Sequence, residues 1–310
     1  MNKQFLTIDG QISKIKSNGI SIKDEQETKK TLQENSYYNI INGYRTPFLH
    51  LHDSKTYLHG TEFMEIYALY HFDRQLRDHL LSYLLEAENM IKTQVVYAFL
   101  NSQDSSGKYM HEDDAYLRIE SYEHGQNKRN LKLIAQLQRL ISDSFESSDS
   151  ITHYLSTYSY VPLWVLSTRW TFGDVCNFYA SMTSQDRQAV SSIYKIPDDK
   201  FLTIINILSF VRNHCAHGNR VYCIRKLYDF PVLNPSLFPV QNRFGITNHG
   251  KHNLLNVFLA LKTILSEKRY KELLRKTERD IETLSSRINV IGVTKITDIM
   301  GIPYPINAIE

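Results

Sequence analysis

The run from Phe201 to Arg220 limits the possible folds more than any other stretch of this chain. With Leu208 at the centre of a helical face and a turn of about 100° per residue, Phe201, Ile204, Ile205, Val211 and Cys215 fall close around it. That stripe predicts a helix with one face in a core. Thr203, Asn206, Asn213 and His217 fall roughly opposite, and Asn213 and His217, four apart, stand one above the other. Arg212 lies at the edge of the apolar stripe, and its long side chain can reach round to either face. Gly218 follows as a helix-ending residue. One helix therefore carries a buried stripe and presents Arg, Asn and His at its exit.

The spacing there is Arg-x4-His with a polar residue after the Arg, and Arg212-Asn213-His214-Cys215-Ala216-His217 resembles the ribonuclease motif of HEPN domains. Three further segments resemble the Abi-like family of abortive-infection proteins, of the AbiD/AbiF type. One is the aromatic stretch Tyr37, Ile40, Ile41 and Tyr44, which is spaced for a single helix face. Another is Phe72-Asp73-Arg74 with Leu76-Arg77, followed by Glu88 and Lys92. The third is Pro162 to Gly173, with Trp164, Thr171 and Phe172 inside it. The closing Met300-Gly301-Ile302-Pro303 is similar to the family's last segment, so the likeness runs from about residue 10 to the end. It implies an all-α, HEPN-like helical bundle with helical N-terminal and C-terminal elaborations.

Composition narrows the rest. A formal charge of +3 is mildly basic and gives weak support for a nucleic-acid partner. Cys176, Cys215 and Cys223 form an odd, sparse set without a disulfide framework, which suits a reducing cytoplasm. The N-terminus shows no apolar signal-peptide segment, and no apolar run approaches a membrane span. There is no Gly-rich phosphate loop, no His-Glu-x-x-His and no Gly-x-Ser-x-Gly, which removes the common nucleotide, zinc-protease and esterase classes.

Residues 1–310 read as a single domain, with 1–60 as a helical extension, 101–150 as an insert and 254–310 as C-terminal helices. Residues 46–60 read as a polar connector; its His50, His52, Asp53 and His59 lack a further ligand pair at helical spacing, so no metal site is expected. Residues 61–100 predict one or two long helices. Residues 109–130 are strongly charged and read as exposed, ahead of a short basic helix from Leu131 to Ser142 with Lys128, Arg129, Lys132 and Arg139 in or near it; this insert reads first as a solvated surface, with a lid or an RNA-contacting arm as the alternatives. Trp164, Leu166, Trp170 and Phe172 read as core, with Pro162 starting a helix and Gly173 ending it. Residues 231–252 read as a long irregular loop.

RNA carries its own nucleophile, the 2′-OH. Cleavage then needs an acid or base near neutral pH, which His217 supplies, and a cation beside the phosphate, which Arg212 supplies. Asn213 can orient His217 or bind the phosphate; His214 is a secondary candidate. Glu88 has two alternatives: an intrahelical pair with Lys92, or a carboxylate that holds Arg212 in place. No cofactor is needed, and the products would be a 2′,3′-cyclic phosphate, or a 3′-phosphate after opening, and a 5′-hydroxyl. The resemblance implies a homodimer with a composite site, RNA as substrate and a role in phage defence, with an antitoxin or non-coding RNA as a further partner. The alternative is a non-catalytic RNA-binding or scaffold protein of the same shape, and a small-molecule enzyme ranks third.

Overall fold

The computed structural model describes residues 5–50, 55–105, 114–224 and 254–309. Among them the fold is all-α, and the only extended pairing is two isolated bridges, Ser21 with Glu62 and Leu49 with Tyr57. The helices are α1 (Ile8–Ser17), α2 (Glu25–Glu34), α3 (Phe63–Ser105), α4 (Asn127–Ser144), α5 (Asp149–Tyr158), α6 (Leu163–Leu166), α7 (Phe172–Ser181), α8 (Ser184–Ile193), α9 (Asp198–Ala216), α10 (Leu254–Ile264), α11 (Glu267–Ser285) and α12 (Val293–Met300).

The axis of the molecule is α3. It holds no Gly or Pro, and Leu76, Leu80, Leu84, Ile91, Val95 and Phe99 form a fully buried stripe along it. At 1.5 Å per residue it runs about 64 Å, so several helices can pack against different parts of it. Helices α7, α8, α9 and α11 do so, and α9 is sandwiched further by α7, α8 and α10. The predicted stripe on α9 is in place: Phe201, Ile204, Ile205, Leu208 and Val211 are fully buried.

The N-terminal extension is built from α1, α2 and a single π turn at Tyr38–Asn42, which buries Ile40 and Ile41 against α3. The connector that follows is less polar than its sequence suggested, with Pro47, Phe48, Leu49 and Tyr57 buried; His52 and Asp53 lie outside the described residues.

Four other expectations need correction. The described part of 109–130 is docked: Tyr116 and Tyr122 are buried, the Tyr116 hydroxyl donates to the Val161 carbonyl at 2.7 Å, and Tyr122 packs on Phe99 and Phe178. Charged neighbours masked those two aromatic anchors. The basic helix α4 is longer than predicted at both ends. Pro162 does open α6, but that helix lasts one turn; Thr171 and Asp174 then form a reciprocal cap that starts α7, so Gly173 sits in a first turn rather than at an end. Trp164 is half exposed, while Leu166, Trp170 and Phe172 are core. The loop at 231–252 lies outside the described residues.

Candidate functional site

Arg212 leaves α9 one residue after the buried Val211 and turns onto α3. Its Nε donates to Glu88 Oε2 at 2.9 Å, and its Nη1 donates to Asn213 Oδ1 at 3.2 Å. The Glu88 side chain is 7 % exposed and that of Arg212 25 %, so the carboxylate is nearly buried while the cation keeps an outlet. Of the five N–H donors of a guanidinium, these contacts use two. Of the two alternatives for Glu88, the structure has the long-range one; Lys92 instead reaches the Trp170 carbonyl at 3.4 Å. Asn213 contacts the guanidinium, not the imidazole it stacks above in sequence.

The exit of α9 is set by a two-bond C-terminal closure. Gly218 N–H donates to Cys215 O at 3.1 Å and Asn219 N–H to His214 O at 3.0 Å, the pairing of a Schellman motif. It requires the left-handed backbone that Gly218 adopts at φ 69°. The chain then turns back onto α3, where buried Asp73 receives it: Asp73 Oδ1 accepts from the Val221 and Tyr222 amides at 3.1 and 2.7 Å. Its Oδ2 accepts from the Tyr44 hydroxyl at 2.7 Å and from Arg77 at 3.0 Å. Burial pushes this carboxyl upward and those four donors oppose it. One carboxylate thus joins the extension, α3 and the segment after the motif.

This turn places His217 in a polar groove of about 440 Å3 between the π turn and α3, lined also by Tyr38, Asn39, Asn42, Tyr70, Arg77 and Arg220. His217 is exposed. Arg220 is fastened to the wall by a bond from Nη1 to the Gly43 carbonyl at 2.5 Å. Tyr44 stacks on Tyr222 and meets Tyr70 edge-on, closing the groove from below. His214 is different: it is buried and stacked on Phe210 with ring centres 4.7 Å apart. Burial, and secondarily the nearby His217, holds its pKa below the ordinary value.

Sequence reasoning missed Arg220 and the groove's use of Tyr38, Asn39 and Asn42. It noticed Asp73 and Arg77 only as part of a segment. Their spacing gave no further cue, since Asp73 and Arg77 stand four apart and read as an ordinary helical ion pair. Chemically, the exit of α9 carries a fixed guanidinium with a neighbouring amide, able to hold a phosphate, and an open imidazole, able to move a proton; Arg212 and Asn213 do not line the groove that holds His217.

An all-α core that projects Arg, Asn and His from the end of one central helix defines the class of this molecule. The chain belongs to the Abi-like protein family, whose model matches residues 30–223. That span runs from α2 to Cys223 and includes the π turn, Asp73, Glu88 and the whole exit of α9; the C-terminal helices and the Met300–Pro303 resemblance lie beyond it. No curated protein and no solved structure matches the chain. No described helix is long and apolar enough to cross a membrane.

Proposed function

We propose that this protein is a HEPN-type endoribonuclease acting in abortive infection, the bacterial sacrifice of growth to block a phage, or in a related toxin system. The observation that carries this reading is the Glu88–Arg212–Asn213 arrangement on the same helix exit that ends in an exposed His217. Glu88 holds the guanidinium by its Nε and leaves Nη donors for a phosphate. His217 removes the proton of the 2′-OH or protonates the leaving 5′-oxygen, and Arg212 stabilises charge on the phosphorane-like transition state. One motif supplies one imidazole, whereas the reaction uses a base and an acid. Two copies of α9 meeting across a two-fold axis would supply both. His214, buried and stacked on Phe210, packs in the core rather than sharing the chemistry.

A second reading has its own support. Arg212 is already hydrogen-bonded twice, which also suits a structural arginine in a non-catalytic RNA-binding protein. Arg212→Ala and His217→Ala variants, checked for folding by circular dichroism, separate the two. Cleavage of RNA by wild type and its loss in both variants is the expected result. RNA binding unchanged in both, with no cleavage by wild type, would establish the second reading instead.

A further inference from the structure

A second cavity, of about 580 Å3, lies between α4 and α7 and plays no part in the chemistry above. Its charged lining has one sign: Lys128, Arg129 and Lys132, with no carboxylate among the lining residues. Lys128 and Arg129 occupy the first turn of α4, where the helix already presents its positive end and cations are normally disfavoured. No acidic residue stands in that turn and no side chain caps it. Arg129 donates to Gln126 Oε1 at the start of its own helix at 2.7 Å and, across the gap, to the Ala180 carbonyl of α7 at 3.2 Å. Of the neighbouring acids, Asp174 is occupied by the α7 cap and by Gln136, and Glu123, whose amide donates to the Ser181 carbonyl, pairs with Arg187 at 3.5 Å.

An independent observation points to a ligand. Ser181 lines the same cavity, is fully buried, and its Oγ has no hydrogen-bond partner among the described residues. Such a hydroxyl carries a cost unless something accepts from it. An anionic oxygen flanked by lysines would do so. The cations also extend in a line: Lys128, Lys132 and Arg139 fall within about 40° of one another on α4, spread over about 16 Å. Arg139 pairs only with exposed Asp143, a contact of little strength. A line of charge suits a chain of phosphates better than a single one.

We propose that this cavity and stripe form a phosphate-binding subsite for an RNA backbone, separate from the exit of α9. It rests on the reading that the chain handles RNA, but not on cleavage. The test is fluorescence anisotropy of the full chain with a 2′-O-methyl oligoribonucleotide, which cannot be cut through its 2′ position, titrated across salt concentrations. For single strands each phosphate contact adds about 0.7 to the slope of log affinity against log salt, so Lys128→Ala/Lys132→Ala should flatten it by about 1.4. Lys14→Ala/Lys30→Ala, exposed lysines elsewhere, should leave it unchanged. Ser181→Ala should weaken binding about fivefold, the loss of one net hydrogen bond, without lowering the unfolding temperature. A wild-type slope in the Lys128/Lys132 variant would overturn the subsite even if the protein cuts RNA. Flattening in a protein that cuts nothing would keep the subsite and remove the nuclease.

Discussion

Glu88 and Arg212 should be strongly coupled, and the structure says by how much and in which order. At an effective dielectric near 20 and a charge separation of about 4 Å, their attraction is about 4 kcal/mol. Desolvation of the nearly buried carboxylate offsets part of it, so a net coupling of about 2 kcal/mol is expected. The single variants should differ. Arg212→Met strands a carboxylate whose side chain is 7 % exposed, whereas Glu88→Gln strands a cation that is 25 % exposed, retains an amide oxygen to bond and keeps Asn213. Arg212→Met should therefore cost about 3 kcal/mol and Glu88→Gln about 2. The double variant should cost less than their sum by the coupling. Urea unfolding of the four proteins measures all three quantities. Additivity within about 0.5 kcal/mol, or a larger loss for Glu88→Gln, would refute the view that Glu88 positions the guanidinium.

Three other outcomes follow from the same geometry. Gly218→Ala should cost about 1 kcal/mol in chemical denaturation, because alanine must adopt φ near 69° although nothing obstructs its methyl group; an unchanged midpoint would contradict the Schellman closure. Asp73→Ala should cost about 3–5 kcal/mol by leaving two amides, the Tyr44 hydroxyl and Arg77 without their acceptor. For His214 the folded pKa lies below the ordinary 6.5, so the folded state resists protonation. Its contribution is whole above about 6.5 and is lost as pH falls toward the lowered folded value, so the His214→Phe variant should lose less stability than wild type over that acid range. Equal losses in the two proteins would show that the ring is not buried in solution.

Much of this architecture was legible because helix periodicity is a local signal. The stripes of α3 and α9 are visible in the order of residues, and so are the exit at Gly218 and the aromatic face of Tyr37–Tyr44. What escaped was set by tertiary partners. Tyr116 and Tyr122 are buried among charged neighbours because their hydroxyls reach the Val161 and Tyr116 carbonyls, which no period reveals. Trp164 reads as core by composition but sits on a one-turn helix that faces it outward. For the candidate residues, the placing of Arg212, Asn213 and His217 at one helix exit could be read from spacing, and the Glu88 contact as one of two choices. The groove around His217 could not, since it needs Asp73 to fold residues after the motif onto α3.

The most direct test of the central chemistry is incubation of the purified protein with total RNA in excess chelator, followed by identification of the new ends. Nucleophilic attack by the 2′-OH, with Arg212 and His217 as the catalytic groups, predicts continued cutting that leaves 5′-hydroxyls and 2′,3′-cyclic or 3′-phosphates. Cuts that vanish in chelator, or that leave 5′-phosphates, would contradict it.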